Sequence, residues 1–497
     1  MSKSETIFGN EMKQSVVKKG LKTQKKFIRK YGDDRNTEYH LKAEPVEALA
    51  NLGVQNLVIS KDNDEKMDFG KKPFIVGNIR MGFGHYRMSI ALASAARSMG
   101  YTPYWFDLHS FKDATAGKII AEQNKLYSLG SRLSQKSRLF NKFFWEPMNS
   151  EGFRQLSYNS VDQKTSELFT PVYTDFPKDI PFVAAHVWPA QGAVHAGLTN
   201  VMNAIPDNWP MALHLSEGAK HAVQTESSYL GYLALRGMDK DNILKPMDKN
   251  SIFCTGHYID HELVSNIETD CKNRINRRNN GDAVRYLLTI GGAGAQKEIY
   301  ADIIKYLLPE IINGKAMLML NTGDHKNVWD ELVKEIPELE SATTHFDDFD
   351  DAKKFADELA GSAELNQTLN HTRDENKISK NIHAFYNKDI FAAVYVTNLL
   401  MRGSDVLVTK PSELAFYPVP KLFIRRVGGH EAWGAIHSAE IGDGTYECGT
   451  KNSVREMIDL FQNEPTVLTR MCDNIVKNKS AGIYDGAYNV VKLLTEK

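Results

Sequence analysis

Pro73-Phe74-Ile75-Val76-Gly77, then Met81-Gly82-Phe83-Gly84-His85, then the helical stretch Arg87 to Met99, and after Gly100 the run Tyr104-Trp105-Phe106-Asp107 together decide the fold. The segment is a short apolar run, a glycine turn, a helix and a second apolar run. Two parallel strands need a crossover between them, and a helix is the usual one, so parallel sheets are built from such units. The glycines let the backbone turn sharply between strand and helix.

Downstream, Pro181 to Val187 and Met211 to Leu215 read as further strands, and Glu226 to Leu235 as a helix. The pattern then restarts. Val284 to Ile290 is an apolar run leading into Gly291-Gly292-Ala293-Gly294, followed by an amphipathic helix from Gln296 to Ile312 and a strand from Ala316 to Leu320. Strands recur at Asp405 to Thr409 and Lys421 to Arg425, with helices at Asp389 to Met401 and Glu431 to Ala439. The repetition predicts an α/β fold of two tandem Rossmann-like, doubly wound domains. Their expected limits are a polar basic leader over 1–70, a first domain over 71–245, a second over 246–450, and C-terminal helices over 451–497. The polar stretch at about 340–380 is expected to be an irregular insertion.

Composition agrees with a chain of this kind. Its 497 residues exceed what one core needs, and 42% hydrophobic with 25% charged residues is globular composition. Lys plus Arg number 61 against 62 Asp plus Glu, so no global field draws the chain to nucleic acid. The four cysteines form no Cys-x-x-Cys pair, which fits a reducing cytoplasm. No apolar stretch reaches the roughly 18 residues of a spanning helix.

Several segments could carry chemistry. A glycine turn ahead of a helix serves either tight packing or an anion such as phosphate, which the N–H groups at the helix start favour. Gly82, Gly84 and Arg87 mark the first such loop. A dinucleotide fingerprint would need a third Gly where Arg87 stands, although Asp107 sits where a ribose-binding acid could fall. Gly117-Lys118 is followed by Ile119, so no nucleotide-hydrolase phosphate loop is present. His85, closing the first glycine turn, is either an ordinary solvated loop histidine or, from its place on that turn, a base near neutral pH. In Thr409-Lys410-Pro411-Ser412-Glu413, Ser412 is expected to cap the helix that Glu413 begins, gathering a hydroxyl and free N–H groups at a strand's carboxyl end. That arrangement suits a diphosphate or serves the helix terminus alone. A second glycine turn, Gly428-Gly429-His430-Glu431, follows the next strand.

In order and spacing these motifs resemble the GT-B glycosyltransferases, in particular the group containing the peptidoglycan N-acetylglucosaminyltransferase and the galactosyldiacylglycerol synthases. The resemblance spans roughly Pro73 to Lys497 and is carried by short motifs. Gly82-Phe83-Gly84-His85 stands where that group has the Gly-x-Gly-His loop of its acceptor domain, and Gly291 to Gly294 where its donor domain opens. The group's ribose-binding Glu is followed seven residues later by a Pro, an interval that Glu413 and Pro420 keep. Its sugar-contacting pair would fall on His430 and Glu431. The chain departs from the group in having only Lys410-Pro411-Ser412 where a longer glycine-containing phosphate loop is usual, and in lacking the usual Gln pair; Lys410 could supply the lost charge.

The resemblance implies a cleft between the domains and transfer of a sugar from a nucleotide diphosphate donor, UDP-linked, to an acceptor hydroxyl, a lipid among the candidates. It implies His85 as base, with no cofactor and no metal. Asp347-Asp348-Phe349-Asp350-Asp351 contains an Asp-x-Asp pattern but reads as a solvated acidic loop. A sugar-nucleotide epimerase or hydrolase, and a non-catalytic nucleotide-sugar binder, are the alternatives. The basic run Lys13 to Lys30 is either a solvated helix face or a dock for anionic lipid. Lys136 to Trp145 mixes cations with aromatics that either pack in the core or suit a membrane interface. The expected location is cytoplasmic, with contact at the inner face of the membrane.

Overall fold

The computed structural model describes residues 2–61, 65–80, 82–136, 138–140, 143, 145, 147–291, 296–361 and 380–496. These form two compact units. The first is Met1–Ile259 with Gly428–His430 and Asp485–Lys497; the second is Asp260–Val427 with Glu431–Tyr484.

A two-stranded hairpin, β1 (Thr6–Ile7) and β2 (Asn10–Glu11), opens the first unit. Its sheet has eight strands: β3 (Leu41–Pro45), β4 (Gln55–Ile59), β5 (Pro73–Asn78), β6 (Thr102–Asp107), β7 (Phe182–Ala184), β8 (Val201–Ala204), β9 (Lys220–Val223) and β10 (Ile252–Cys254). Their spatial order is β10-β9-β8-β7-β5-β6-β4-β3, parallel throughout except β3, which runs antiparallel to β4. Phe74, Ile75 and Val76 are wholly buried, as expected of a parallel sheet covered on both faces. Gly77 is required where it stands, because a Cβ there would lie 2.8 Å from the Phe182 ring on the neighbouring strand.

The second sheet has six parallel strands: β11 (Val284–Thr289), β12 (Ala316–Asn321), β13 (Thr343–Phe346), β14 (Ile382–Tyr386), β15 (Val406–Thr409) and β16 (Lys421–Phe423). They are ordered β13-β14-β12-β11-β15-β16. All six residues of β11 and of β12 are buried. At the opposite end from the candidate loops, buried Asp405 accepts from Arg277 at 2.7 Å and from the Arg285 backbone N–H at 2.9 Å. The buried Asp405 and Arg277 charges are thus paired with one another, as burial demands. Two tandem, doubly wound α/β domains are thus what the chain forms.

Several elements differ from expectation. The stretch 1–70 is integral to the first unit: helix α1 (Gln14–Tyr31) buries Phe27 in the core that also holds Ile75 and Phe106, and β3 and β4 extend the sheet. Met211 to Leu215 is not a strand but a 3-10 turn at Ala212–His214. The Asn159 side chain donates to the carbonyls of Ala212 and Leu215, both at 2.7 Å, and so replaces ladder bonds. Within 340–380, β13 is an edge strand and Phe349–Gly361 is a helix burying Ala352, Phe355, Ala356 and Leu359 at helical spacing. Its acidic Asp350 and Asp351 lie in the first turn, where the helix dipole favours them. Of the C-terminal helices, Lys451–Asn463 and Pro465–Ser480 belong to the second unit and Gly486–Thr495 to the first.

Candidate functional site

In an open α/β sheet, ligands sit outside the carboxyl ends of the strands, where consecutive connections leave a strand in opposite directions. In the first sheet that point lies between β5 and β7, since β5 continues through helix α2 (Phe83–Ser98) to β6 on its other side. In the second it lies between β11 and β15. Both points coincide with sequence candidates.

At the first, Gly82 precedes α2 with φ +89°, a left-handed conformation that only glycine adopts without strain. The helix begins at Phe83, earlier than the sequence suggested, so Gly84 and His85 occupy its first turn rather than the loop before it. Arg87 is buried within the helix. His85 Nδ1 lies 2.8 Å from the Ala185 carbonyl oxygen. A carbonyl only accepts, so Nδ1 carries the proton that is donated to it.

The loop after β7 adds a residue the sequence did not single out. His186 meets His85 edge to face with ring centroids 4.9 Å apart, and its Nδ1 accepts from the Trp188 backbone N–H at 3.2 Å. Burial holds its pKa well below the ordinary value, helped by His85 and His214, so it is a neutral imidazole with its proton on Nε2. His214 was likewise missed. It sits between the Tyr232 hydroxyl at 2.8 Å and the Asp207 carboxylate at 3.3 Å. Burial pushes it down to about 4 against the pull of Asp207, and His85 and His430 push the same way. Asp107 is not a free acid for a ribose: its two oxygens accept from Tyr86 at 2.6 Å and from the His109 backbone N–H at 2.8 Å.

At the second switch point, Gly291 follows β11, and a Cβ placed on it would lie 3.5 Å from Lys410 Cε, so these two candidates adjoin. Gly292, Ala293 and Gly294 lie outside the described residues. Thr409 ends β15, its hydroxyl donating to the Lys410 carbonyl at 3.1 Å. Ser412 makes no side-chain cap to the short 3-10 turn Glu413–Phe416, contrary to expectation. Its hydroxyl is therefore not spent on the helix terminus. Glu413 is half-buried at the start of that turn. Lys410 Nζ pairs with Glu431, whose other carboxylate oxygen accepts from the Val427 backbone N–H at 2.8 Å. His430 is grouped with the first unit and Glu431 with the second.

One feature recurs in both sheets. Asn78 Nδ2 at the end of β5 and Thr289 Oγ1 at the end of β11 are buried and have no hydrogen-bond partner among the described residues. Buried polar atoms nearly always have one, so both switch points present unmet hydrogen-bonding capacity.

Among the described residues, no three His, Cys, Asp or Glu side chains are grouped to hold a metal ion, and no helix is long and apolar enough to cross a membrane. The acidic run is used locally: Asp348 accepts from the Asp351 N–H at 2.9 Å, and Asp347 from the Lys388 N–H at 2.8 Å.

The fold is that of a tandem Rossmann-like protein, with two doubly wound α/β units in one chain. A domain of unknown function, DUF6937, matches residues 6–234, and a second, DUF6938, matches residues 247–495, half of the chain; the chain belongs to the DUF6938 family. No curated protein matches it in sequence. Among solved structures it is similar to the UDP-GlcNAc 2-epimerase of Neisseria meningitidis bound to UDP-GlcNAc, at 11% identity over 86% of this chain and 100% of that one, TM-score 0.42. It is also similar to the Methanocaldococcus jannaschii UDP-GlcNAc 2-epimerase in complex with UDP-GlcNAc and UDP, at 13% identity over 79% and 93%, TM-score 0.37. A mutant O-GlcNAc transferase of Thermobaculum terrenum aligns at 10% identity over 94% and 70%, TM-score 0.32.

Proposed function

We propose that the protein binds a nucleotide diphosphate sugar and transfers its sugar to an acceptor hydroxyl. The observation that carries this reading is the meeting of Gly291 and Lys410 at the second switch point. There the missing side chain opens the backbone to a ligand and a cation stands beside it. The neighbouring Thr289 hydroxyl, buried and without a partner among the described residues, adds a group for a polar ligand to satisfy.

In this reading the diphosphate lies against Gly291, Lys410 and Ser412, and Glu413 accepts from the ribose hydroxyls. Lys410 stabilises the charge that develops on the departing diphosphate. His85 Nε2 takes the proton from the acceptor hydroxyl as it attacks the anomeric carbon. His186, neutral and donating from Nε2, orients the groups around it.

Calorimetry with UDP-GlcNAc, the ligand of two of the structures above, tests the reading. Glu413→Ala should weaken binding about tenfold or more, the worth of a hydrogen bond to a charged group. Unchanged affinity refutes it. Turnover of donor alone would mark an epimerase or hydrolase instead, and saturable binding with no turnover in any acceptor mixture a binding protein.

A further inference from the structure

We infer that Cys271 and Cys472 form a redox pair, whose sulfurs a peroxide joins in a disulfide that staples together the ends of the chain forming the second unit. The inference stands apart from the nucleotide-sugar reading.

Cys271 lies on the helix Ile267–Asn279 and Cys472 on the helix Pro465–Ser480, and these two helices pack against one another. Both cysteines are free, and both are buried, at 1% and 0% exposure. The Cys472 thiol donates to the Cys271 sulfur. Two free sulfurs thus meet inside the core of one unit.

Arg274 is the second observation. It is buried, one helical turn after Cys271. Its Nε donates to the Ser404 carbonyl at 2.6 Å, its Nη2 to the Met401 carbonyl at 2.8 Å, and its Nη1 to Cys271 Sγ at 3.8 Å. The nearby carboxylates are committed elsewhere, Asp270 to Arg402 and Asp405 to Arg277. Among the described residues none is left at ion-pair distance from Arg274. A buried guanidinium keeps its proton and needs a counter-charge. The Cys271 thiolate is the one in contact with it. The Cys271 pKa is accordingly held below that of an ordinary thiol, first by the Cys472 thiol and then by Arg274. Cys472, keeping the shared proton and desolvated, is driven well up. A thiolate therefore stands beside a thiol, the combination from which disulfides form. Cys254, although exposed, offers little thiolate, because desolvation and Glu226 push it up to about 12.

The Cys271 thiolate attacks one oxygen of hydrogen peroxide and breaks the O–O bond. The departing hydroxide takes a proton from solvent and leaves as water, and Cys271 becomes a sulfenic acid. Cys472 then gives up its proton, its sulfur attacks the Cys271 sulfur, the S–O bond breaks and a second water leaves. Two thiols are oxidised to one disulfide, and one peroxide is reduced to two waters. Burial selects the oxidant: hydrogen peroxide is scarcely larger than water and enters as the helix pair opens locally, whereas glutathione disulfide is too large.

Peptide mass spectrometry of the full chain, reduced and then treated with hydrogen peroxide, tests this. It should find Cys271 and Cys472 crosslinked, and dithiothreitol should reverse the bond. Every strand of the second sheet lies between the two cysteines in the chain, so the thermal midpoint should rise by roughly 5–10 °C on oxidation. Cys472→Ser keeps a hydroxyl donor beside Cys271 and removes the second sulfur. It should match the parent by circular dichroism, show no rise, and be trapped by dimedone as the Cys271 sulfenic acid. Glutathione disulfide should leave the pair reduced, and crosslinking by it at an equal rate would refute peroxide as the oxidant. Oxidation of Cys254 while Cys271 and Cys472 remain thiols, or a rise in midpoint that persists in Cys472→Ser, would overturn the inference.

Discussion

Lys410 is the cation proposed to meet the donor's diphosphate, yet in the free protein it is paired with Glu431. An incoming diphosphate must therefore displace the Glu431 carboxylate from Lys410. Two unit charges about 4 Å apart interact by about 1 kcal/mol in water and about 4 kcal/mol at the dielectric typical near a protein surface. The Lys410 side chain is 25% exposed and that of Glu431 8%, which places the pair between these limits, at about 2 kcal/mol. Glu431→Gln removes the charge but keeps an oxygen that can accept from the Val427 N–H, so the turn around it should hold. Affinity for UDP, which carries the diphosphate but no sugar, should then rise about 30-fold. Isothermal calorimetry at fixed ionic strength measures it. The gain should vanish in a double variant with Lys410→Met, because the two changes act through one contact. UDP affinity unchanged or lowered in Glu431→Gln would refute the placement of the diphosphate at Lys410.

Ser412→Ala offers a complementary check: because Ser412 makes no cap, unfolding free energy should change by less than about 0.5 kcal/mol, while UDP affinity should fall about fivefold through loss of one hydrogen bond. A stability loss with unaltered affinity would assign the hydroxyl to the fold. Stability should also fall on acidification. His195, His214, His221 and His383 are each held at about 4 by burial, so their contribution is complete above the ordinary 6.5 and disappears as pH drops from 6.5 to 4. Asp162 and Asp260, pushed up to about 7 by burial, act in the opposite sense over the same window. At up to about 3 kcal/mol per group, four histidines outweigh two carboxylates, and urea midpoints should be lower at pH 5 than at pH 7; equal midpoints would contradict the burial of these rings. Gly486→Ala would put a Cβ 2.1 Å from the Gly256 carbonyl oxygen, and because the obstacle is backbone, a thermal scan should show a loss of about 1–3 kcal/mol.

How much of the candidate site could be read in advance differed between its two halves. The Gly291 turn and the segment from Thr409 to Glu413 follow strands whose apolar runs are unmistakable, and both lie at the predicted strand ends. His186 and His214 gave no comparable signal. Each lies in an ordinary stretch of sequence, and each becomes interesting only because β7 pairs with β5 and because Asn159 holds the 211–215 segment as a turn. The partner of Lys410 was equally hidden, since Glu431 is remote in sequence and was expected to face a sugar.

The sequence alone determined that the chain makes two strand, turn and helix systems. Strands buried on both faces must be continuously apolar, and the turns between strand and helix favour glycine, so composition and spacing betray them. Tertiary structure decided the order in which those strands pair, and with it which loops adjoin. It also folded the basic leader into the first unit, because a helix with one apolar stripe declares that it packs without declaring against what. Pairing order and neutralised charges are set by contacts between residues far apart in the chain, and no local pattern records them.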